Sequence, residues 1–317
     1  LSEPTLEPIR QAAERIRPLA LLTPVLRCDD LDEVAQGEVW LKAENFQRTG
    51  SFKLRGATNA VASLDEATRQ CGVLTYSSGN HGAALSCAAR HFGCRATVVM
   101  PQNAPEAKKA NVRRYDGEVV EYDPETQSRE EIGRALAGER GCALVPPYDM
   151  AEIVCGQGTV GLELTEQCPP LDVVLVCLGG GGLLSGTAIA IKSIWPEAKV
   201  IGVEPAAADD GYRSFKSGQL QTVHNPQTIA DGARTPCLGN LTFPLIQKWA
   251  DDIVTVTDEE LIDATRFLWE RAKLLSEPTG ALATAAILAR KVETKGKRVA
   301  AIVSGGNCDV VSIANLF

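Results

Sequence analysis

The sequence is poor in histidine and lacks the clustered cysteines that most often carry metal or redox chemistry. It has three histidines, His81, His91 and His224, and they stand far apart. Its ten cysteines never fall in C-x-x-C spacing. A zinc site needs clustered Cys and His, so none is expected. Free, reduced thiols inside apolar segments, in a cytoplasmic protein, are the expectation instead. No apolar run approaches the roughly 20 residues of a membrane span, and no charged segment followed by an apolar stretch opens the chain. Net charge is −8, which gives no reason to expect nucleic acid or an anionic membrane as partner. Repeats of 20–50 residues, low-complexity tracts and long linkers are also missing.

What is present is ordinary in bulk and distinctive in order. The 317 residues are 44% apolar and 23% charged, enough for two modest domains. Short β-branched or aromatic runs predict strands at 39–43, 72–76, 96–100, 117–122, 143–145, 172–178, 199–203, 253–256 and 299–303. Helical patterns fit 6–16, 81–92, 105–115, 126–138, 183–194, 258–274 and 278–290. This alternation argues for parallel sheets covered by helices. It falls into two series broken near Pro146-Pro147, so two α/β units meeting at a ligand cleft are expected.

Four motifs sit at places where such folds do chemistry. Ser51-Phe52-Lys53-Leu54-Arg55-Gly56 puts a lysine at a helix start beside an aromatic ring. Both disfavour the ammonium and release a nucleophilic amine. Ser77-Ser78-Gly79-Asn80-His81-Gly82 joins a strand to a helix and exposes backbone N–H groups suited to a carboxylate. Gly179-Gly180-Gly181-Gly182 does the same after strand 172–178 and suits a phosphate. Ser304, in Val303-Ser304-Gly305-Gly306-Asn307, ends the last strand, where open α/β sheets bind ligands. A rival reading takes Gly180-x-Gly182-x-x-x-Gly186 as a loosened dinucleotide fingerprint, with Glu204 as the ribose-binding acid. That would make the chain a nicotinamide-dependent oxidoreductase. Its spacing is one residue too long, and it leaves the lysine and Ser-Gly-Asn motifs unexplained.

In this order the four motifs resemble the fold-type-II pyridoxal-phosphate enzymes, and most closely serine racemase and the serine/threonine dehydratases. The likeness runs from about Pro24 to Asp309. It includes Gly156-Gln157-Gly158-Thr159, Thr228–Gly232, Asp251–Thr257 and Trp269–Thr279. The resemblance implies an α/β fold of the tryptophan synthase β type. Residues 1–66 and 150–317 would form a large cofactor-binding domain and 67–149 a small one, with the active site between them. It also implies a homodimer.

The resemblance assigns roles residue by residue. Lys53 matches the lysine that carries pyridoxal 5'-phosphate, and Phe52 the residue packed on its ring. Asn80 matches the partner of the 3-oxygen, Gly179 to Gly182 the phosphate cradle, and Ser304 the partner of the ring nitrogen. A neutral hydroxyl there suits prompt loss of a β-leaving group, whereas enzymes needing the strongest electron sink use an acid. Ser77, Ser78, Gly79 and His81 lie on the loop that holds the substrate carboxylate. Ser78 matches the racemase acid/base opposite the lysine, where threonine dehydratases usually have Ala. Arg129 matches an arginine near the racemase site, suited to a second carboxylate. Glu204, the Ala208 carbonyl and Asp210 match a Mg²⁺ or Ca²⁺ site. Pro146-Pro147-Tyr148-Asp149 and Thr279-Gly280-Ala281-Leu282 lean towards the dehydratases. The implied activity is dehydration of L-serine, L-threonine or 3-hydroxyaspartate to a 2-oxo acid and ammonia, with serine racemisation through Lys53 and Ser78. A dedicated 3-hydroxyaspartate dehydratase is the alternative within the class.

Overall fold

The computed structural model describes residues 4–77 and 79–317. The first part of the chain forms α1 (Leu6–Ile16), β1 (Val25–Leu26), α2 (Asp29–Ala35), β2 (Glu38–Ala43), α3 (Lys53–Ala62) and α4 (Glu66–Cys71). Next come β3 (Val73–Tyr76), α5 (Asn80–His91), β4 (Ala96–Pro101), α6 (Glu106–Arg113), β5 (Glu118–Tyr122), α7 (Arg129–Arg140) and β6 (Ala143–Leu144). The rest is α8 (Ala151–Gln167), β7 (Val173–Cys177), α9 (Gly182–Ile194), β8 (Lys199–Pro205), α10 (Asp210–Ser217), α11 (Thr242–Trp249), β9 (Asp252–Val256), α12 (Asp258–Glu270), α13 (Pro278–Leu288), β10 (Arg298–Val303) and α14 (Val310–Ala314).

These strands make two sheets. One has six strands in the order β1-β2-β10-β7-β8-β9, the other four in the order β5-β4-β3-β6. Every pair is parallel except β1 with β2. The chain's two ends share the larger sheet, since Leu41 pairs with Ala301 and Ala301 with Leu175. All five residues of β7 are buried, as are Val299 to Val303 of β10. That is the mark of a central parallel strand covered on both faces. The expected strands and helices all form, with ends that shift by a few residues. The largest shift is at α12, which stops at Glu270 rather than 274; Lys273 beyond it takes φ 58°, which a helix does not tolerate.

β1, α2, α4, α8, α10, α11 and α14 were not anticipated. α8 is the longest, and ten of its residues are buried. It carries Gly156, Gly158 and Gly161, which lower helix propensity. The glycines are there for packing. A Cβ on Gly156 would lie 2.6 Å from Gly56 Cα, so α8 and α3 touch backbone to backbone. The cysteines also differ from expectation. All ten are free, but Cys71 is exposed and only Cys28, Cys87, Cys155 and Cys177 are fully buried. Among the described residues no helix is long and apolar enough to cross a membrane.

Candidate active site

A cavity of about 650 Å³ lies between the C-terminal ends of the two sheets' strands. Of the expected cofactor and substrate residues, Phe52, Lys53, Ser77, Gly79, Asn80, His81, Arg129, Gly179 to Gly182 and Ser304 all line it. Ser78 lies outside the described residues. Glu204, Ala208 and Asp210 are not part of the lining.

The lysine comes from the first turn of α3. Phe52 N donates to Ser304 O at 3.0 Å, which ties that turn to the end of β10. Lys53 Nζ donates to Pro147 O at 2.8 Å and lies 5.1 Å from the centre of the Phe52 ring. Burial lowers its pKa to about 8, although the nearby Cys177 and Glu277 push it back up. Near neutral pH the free amine is therefore far more abundant than in an exposed lysine. Ser304 is 1% exposed. The Cys177 thiol hydrogen-bonds with its side chain, and burial pushes that thiol up to about 11.

The glycine turn links β7 to α9. Gly181 has φ 92°, a conformation that favours glycine. A Cβ on Gly180 would fall 2.2 Å from the Tyr148 ring, so the ring presses directly on the turn. Thr242 Oγ1 donates to Gly180 O at 2.7 Å. With its carbonyl held from below, the turn presents backbone N–H groups at the helix N-terminus, where negative charge is favoured.

The second anion-holding turn joins β3 to α5. Asn80 begins that helix, and its Nδ2 donates to Glu277 Oε1 at 2.7 Å. Asn307 Nδ2 donates to Asn80 Oδ1 at 2.8 Å. His81 is 1% exposed, and its Nε2 lies 3.2 Å from Val145 O. A carbonyl can only accept, so Nε2 carries the proton and Nδ1 is a bare acceptor. Burial lowers the His81 pKa to about 3, with Lys53 adding to it. The neutral ring cannot act as a cation for a carboxylate; only the backbone of this residue can serve one.

Arg129 stands at the first turn of α7, capped by the Ser128 side chain, and its Nε donates to Glu130 Oε1 at 2.8 Å. Glu277, Pro147 and Tyr148 were overlooked from sequence. Glu277-Pro278 reads as a helix start, and nothing local marks its carboxyl as a cavity group. Burial pushes that carboxyl well above the carboxylate range, with Asp231 adding to it.

Glu204 and Asp210 form a separate group behind the turn. Glu204 ends β8 and accepts from Gly211 N at 3.1 Å and Tyr212 N at 2.8 Å. Asp210 is fully buried, and among the described residues neither carboxylate oxygen has a partner. Burial raises the Glu204 pKa, and Asp210 raises it further. Asp210 is itself pushed up to about 7 by burial. This packing also removes the nicotinamide reading. Both oxygens of the Glu204 carboxylate are taken by N–H groups in the first turn of α10. A Cβ on Gly186 would sit 2.3 Å from Val154 O, so this glycine serves the contact between α9 and α8.

Comparison with known proteins agrees with this geometry. The chain is 46% identical to a serine racemase of Schizosaccharomyces pombe, over 98% of this chain and 97% of that one. It is 48% identical to an L-threo-3-hydroxyaspartate ammonia-lyase of Pseudomonas, over 96% of each. The solved structure of maize serine racemase superposes with a TM-score of 0.95 at 38% identity, covering 99% of this chain and 97% of the other. The family model for pyridoxal-phosphate dependent enzymes matches residues 16–305, and the chain belongs to that family.

Proposed function

We propose that this enzyme dehydrates β-hydroxy amino acids to 2-oxo acids and ammonia, and that it racemises serine through a branch of the same reaction. One observation carries the reading: a pKa-lowered lysine, two anion-holding turns and a buried hydroxyl converge on a single cavity. Pyridoxal phosphate fits that donor set. The turn at Gly179 to Gly182 would take its phosphate, Lys53 its aldehyde carbon, and Ser304 its ring nitrogen. Phe52 would pack on the ring, and Asn80 would meet its phenolic oxygen by turning from Glu277. Bound there, the cofactor supplies an electron sink that makes the substrate Cα proton removable.

The chain's own groups do the rest. Backbone N–H groups of Ser77, Gly79 and His81 hold the substrate carboxylate at the start of α5. The Lys53 amine, depressed in pKa and held by Pro147 O, takes the Cα proton from one face. Ser78, which matches the racemase acid/base, returns a proton to the other face when racemisation wins over loss of the hydroxyl. The Nη nitrogens of Arg129, without a hydrogen-bond partner among the described residues while Nε is occupied by Glu130, receive a second carboxylate. That favours 3-hydroxyaspartate over serine and threonine, and it supports the dedicated 3-hydroxyaspartate dehydratase as a second reading. Residues 1–66 with 150–317 and residues 67–149 act as large and small domains around the cleft.

A divalent cation fits at Glu204 and Asp210. Glu204 and Asp210 are buried carboxylates that repel, and among the described residues neither oxygen of Asp210 has a partner. Among the described residues no group of three or more His, Cys, Asp or Glu side chains is poised for a metal. Mg²⁺ or Ca²⁺ would therefore complete its shell with the Ala208 carbonyl and water. We also propose a homodimer, supported by the exposed apolar side chains of Leu21, Leu22, Phe46 and Leu275; sedimentation would reveal it.

The test is an assay of 2-oxo-acid formation and product chirality across L-serine, L-threonine and the 3-hydroxyaspartates. The purified protein should absorb near ~410–420 nm, as the lysine-bound cofactor does. Absence of that band together with absence of 2-oxo acid from every substrate would overturn the proposal.

A further inference from the structure

The active-site cavity uses the C-terminal edge of the four-stranded sheet, where Tyr76 and Pro101 line it. The opposite edge holds a second hollow, lined among others by Cys71, Arg95, Thr97, Arg140 and Cys142. Two of the chain's ten cysteines meet there, although 70 residues separate them in sequence. α4 ends on Cys71, and β6 starts immediately after Cys142.

Strand register brings them together. Val73 pairs with Ala143, and Ala143 N donates to Gly72 O at 3.0 Å. Cys71 and Cys142 therefore flank this backbone bond, one from the end of α4 and the other from the turn before β6, and both line the same hollow. A disulfide spans Cα separations of about 4.4–6.8 Å, within reach of residues that flank one such bond. Each cysteine also has a glycine beside it. Gly72 takes φ 96° and Gly141 takes φ 66°, so the backbone at both ends has room to adjust. Cys71 is exposed and Cys142 half-buried. Burial pushes the Cys142 thiol up, while Arg140 and Arg95 favour its thiolate.

We propose that Cys71 and Cys142 form a reversible disulfide on contact with an oxidised low-molecular-weight disulfide, clipping the end of α4 to the start of β6. The exposed Cys71 sulfur attacks one sulfur of the small disulfide, whose S–S bond breaks and releases a thiolate. The Cys142 sulfur then attacks Cys71 Sγ, breaks the mixed disulfide and releases the second thiolate. The two cysteine thiols are oxidised, the small disulfide is reduced to two thiols, and the two cysteine protons end on them. The clip bears on the cleft through the chain that follows β6. Val145 O faces His81 Nε2, and Pro147 O accepts from Lys53 Nζ.

The experiment treats the cofactor-loaded protein with oxidised glutathione and maps its peptides by mass spectrometry without reduction. The expected result is one cross-linked pair of peptides holding Cys71 and Cys142, with two fewer titratable thiols per chain. The Tm should rise by about 5 °C, given the long loop closed, and dithiothreitol should reverse every change. Cys142→Ser should trap glutathione on Cys71, and Cys71→Ser should prevent any cross-link at Cys142. Glutathione retained on Cys71 in the unmutated protein, or a cross-link joining other cysteines, would overturn the proposal.

Discussion

Lys53 and Arg55 stand two residues apart on α3, and the fold treats their charges in opposite ways. Arg55 is 0% exposed and saturated. Its guanidinium donates to both oxygens of Glu44 at 2.8 Å and to Glu163 at 2.6 and 2.7 Å, with Thr159 Oγ1 at 3.1 Å. Lys42 Nζ adds bonds to Glu163 at 2.5 Å, Thr23 O at 2.8 Å and Gln167 at 2.8 Å. Two cations face two carboxylates, and burial alone would raise the Glu44 carboxyl; Arg55, Lys42 and the Thr23 hydroxyl together outweigh it and hold that carboxyl below its usual range. Lys53, by contrast, makes one hydrogen bond among the described residues, to a carbonyl, and its pKa falls. A buried charge with every position filled is architecture: it pins α3 to β2 and α8. A buried group left short of partners is held ready for something else, and Asp210 belongs with Lys53 in that respect.

The sharpest way to break this contrast is to remove each cation in turn. Lys53→Ala should lower turnover by about 10³-fold or more, as loss of a catalytic base does. Its Tm should hold, because the side chain's removal leaves no charge unpaired. A large drop in Tm with activity to match would make Lys53 structural. Arg55→Met should do the reverse. It leaves Glu44 buried without its guanidinium and leaves Lys42 alone to face Glu163, at about 3–5 kcal/mol of stability in denaturant unfolding. Replacing Glu44 and Arg55 together by apolar residues should recover part of that loss. A single Arg55 variant as stable as the parent would end the architectural reading.

Smaller effects sharpen the same division. Ser78→Ala should cut serine racemisation by about 100-fold while leaving elimination from L-serine largely intact, read from product chirality and 2-oxo-acid yield. Equal loss of both would reduce Ser78 to a part of the carboxylate loop. The Asp210 pair gives a pH signature. Its folded pKa, about 7, lies above the ordinary 3.8. A raised acid favours the protonated form, so its contribution to stability is present below about pH 4 and lost as pH rises through about 7. In chelator, Asp210→Asn should therefore gain about 2 kcal/mol over the parent at pH 8, measured by denaturant unfolding. Mg²⁺ or Ca²⁺ should restore the parent and leave the variant unchanged. If metal moves both equally, Asp210 holds no ion.

Much of this was legible in the sequence because the information is local. A strand followed by Gly179 to Gly182, or by Ser77 to Gly82, announces a turn that leaves N–H groups outward. Lys53 beside Phe52 announces a desolvated amine. What escaped depends on partners distant in sequence. α8 is buried on several sides, so no polar face marked it as a helix, and its glycines argued against one. The glycines became intelligible only against Gly56 and Gly186. Glu277 is a cavity group because Asn80 reaches it from 197 residues away. Nothing local marks Arg55 as architecture, since Glu44 reaches it from just past the end of β2 and Thr159 and Glu163 from α8.

The central claim is that Lys53, and no other lysine, carries the cofactor. Sodium borohydride reduction of the cofactor-loaded protein, followed by digestion and mass mapping, tests it directly. The account predicts one modified peptide, the one holding Lys53, and none in Lys53→Ala. Fixation on Lys42, Lys108 or any other lysine in the unmutated protein would contradict it.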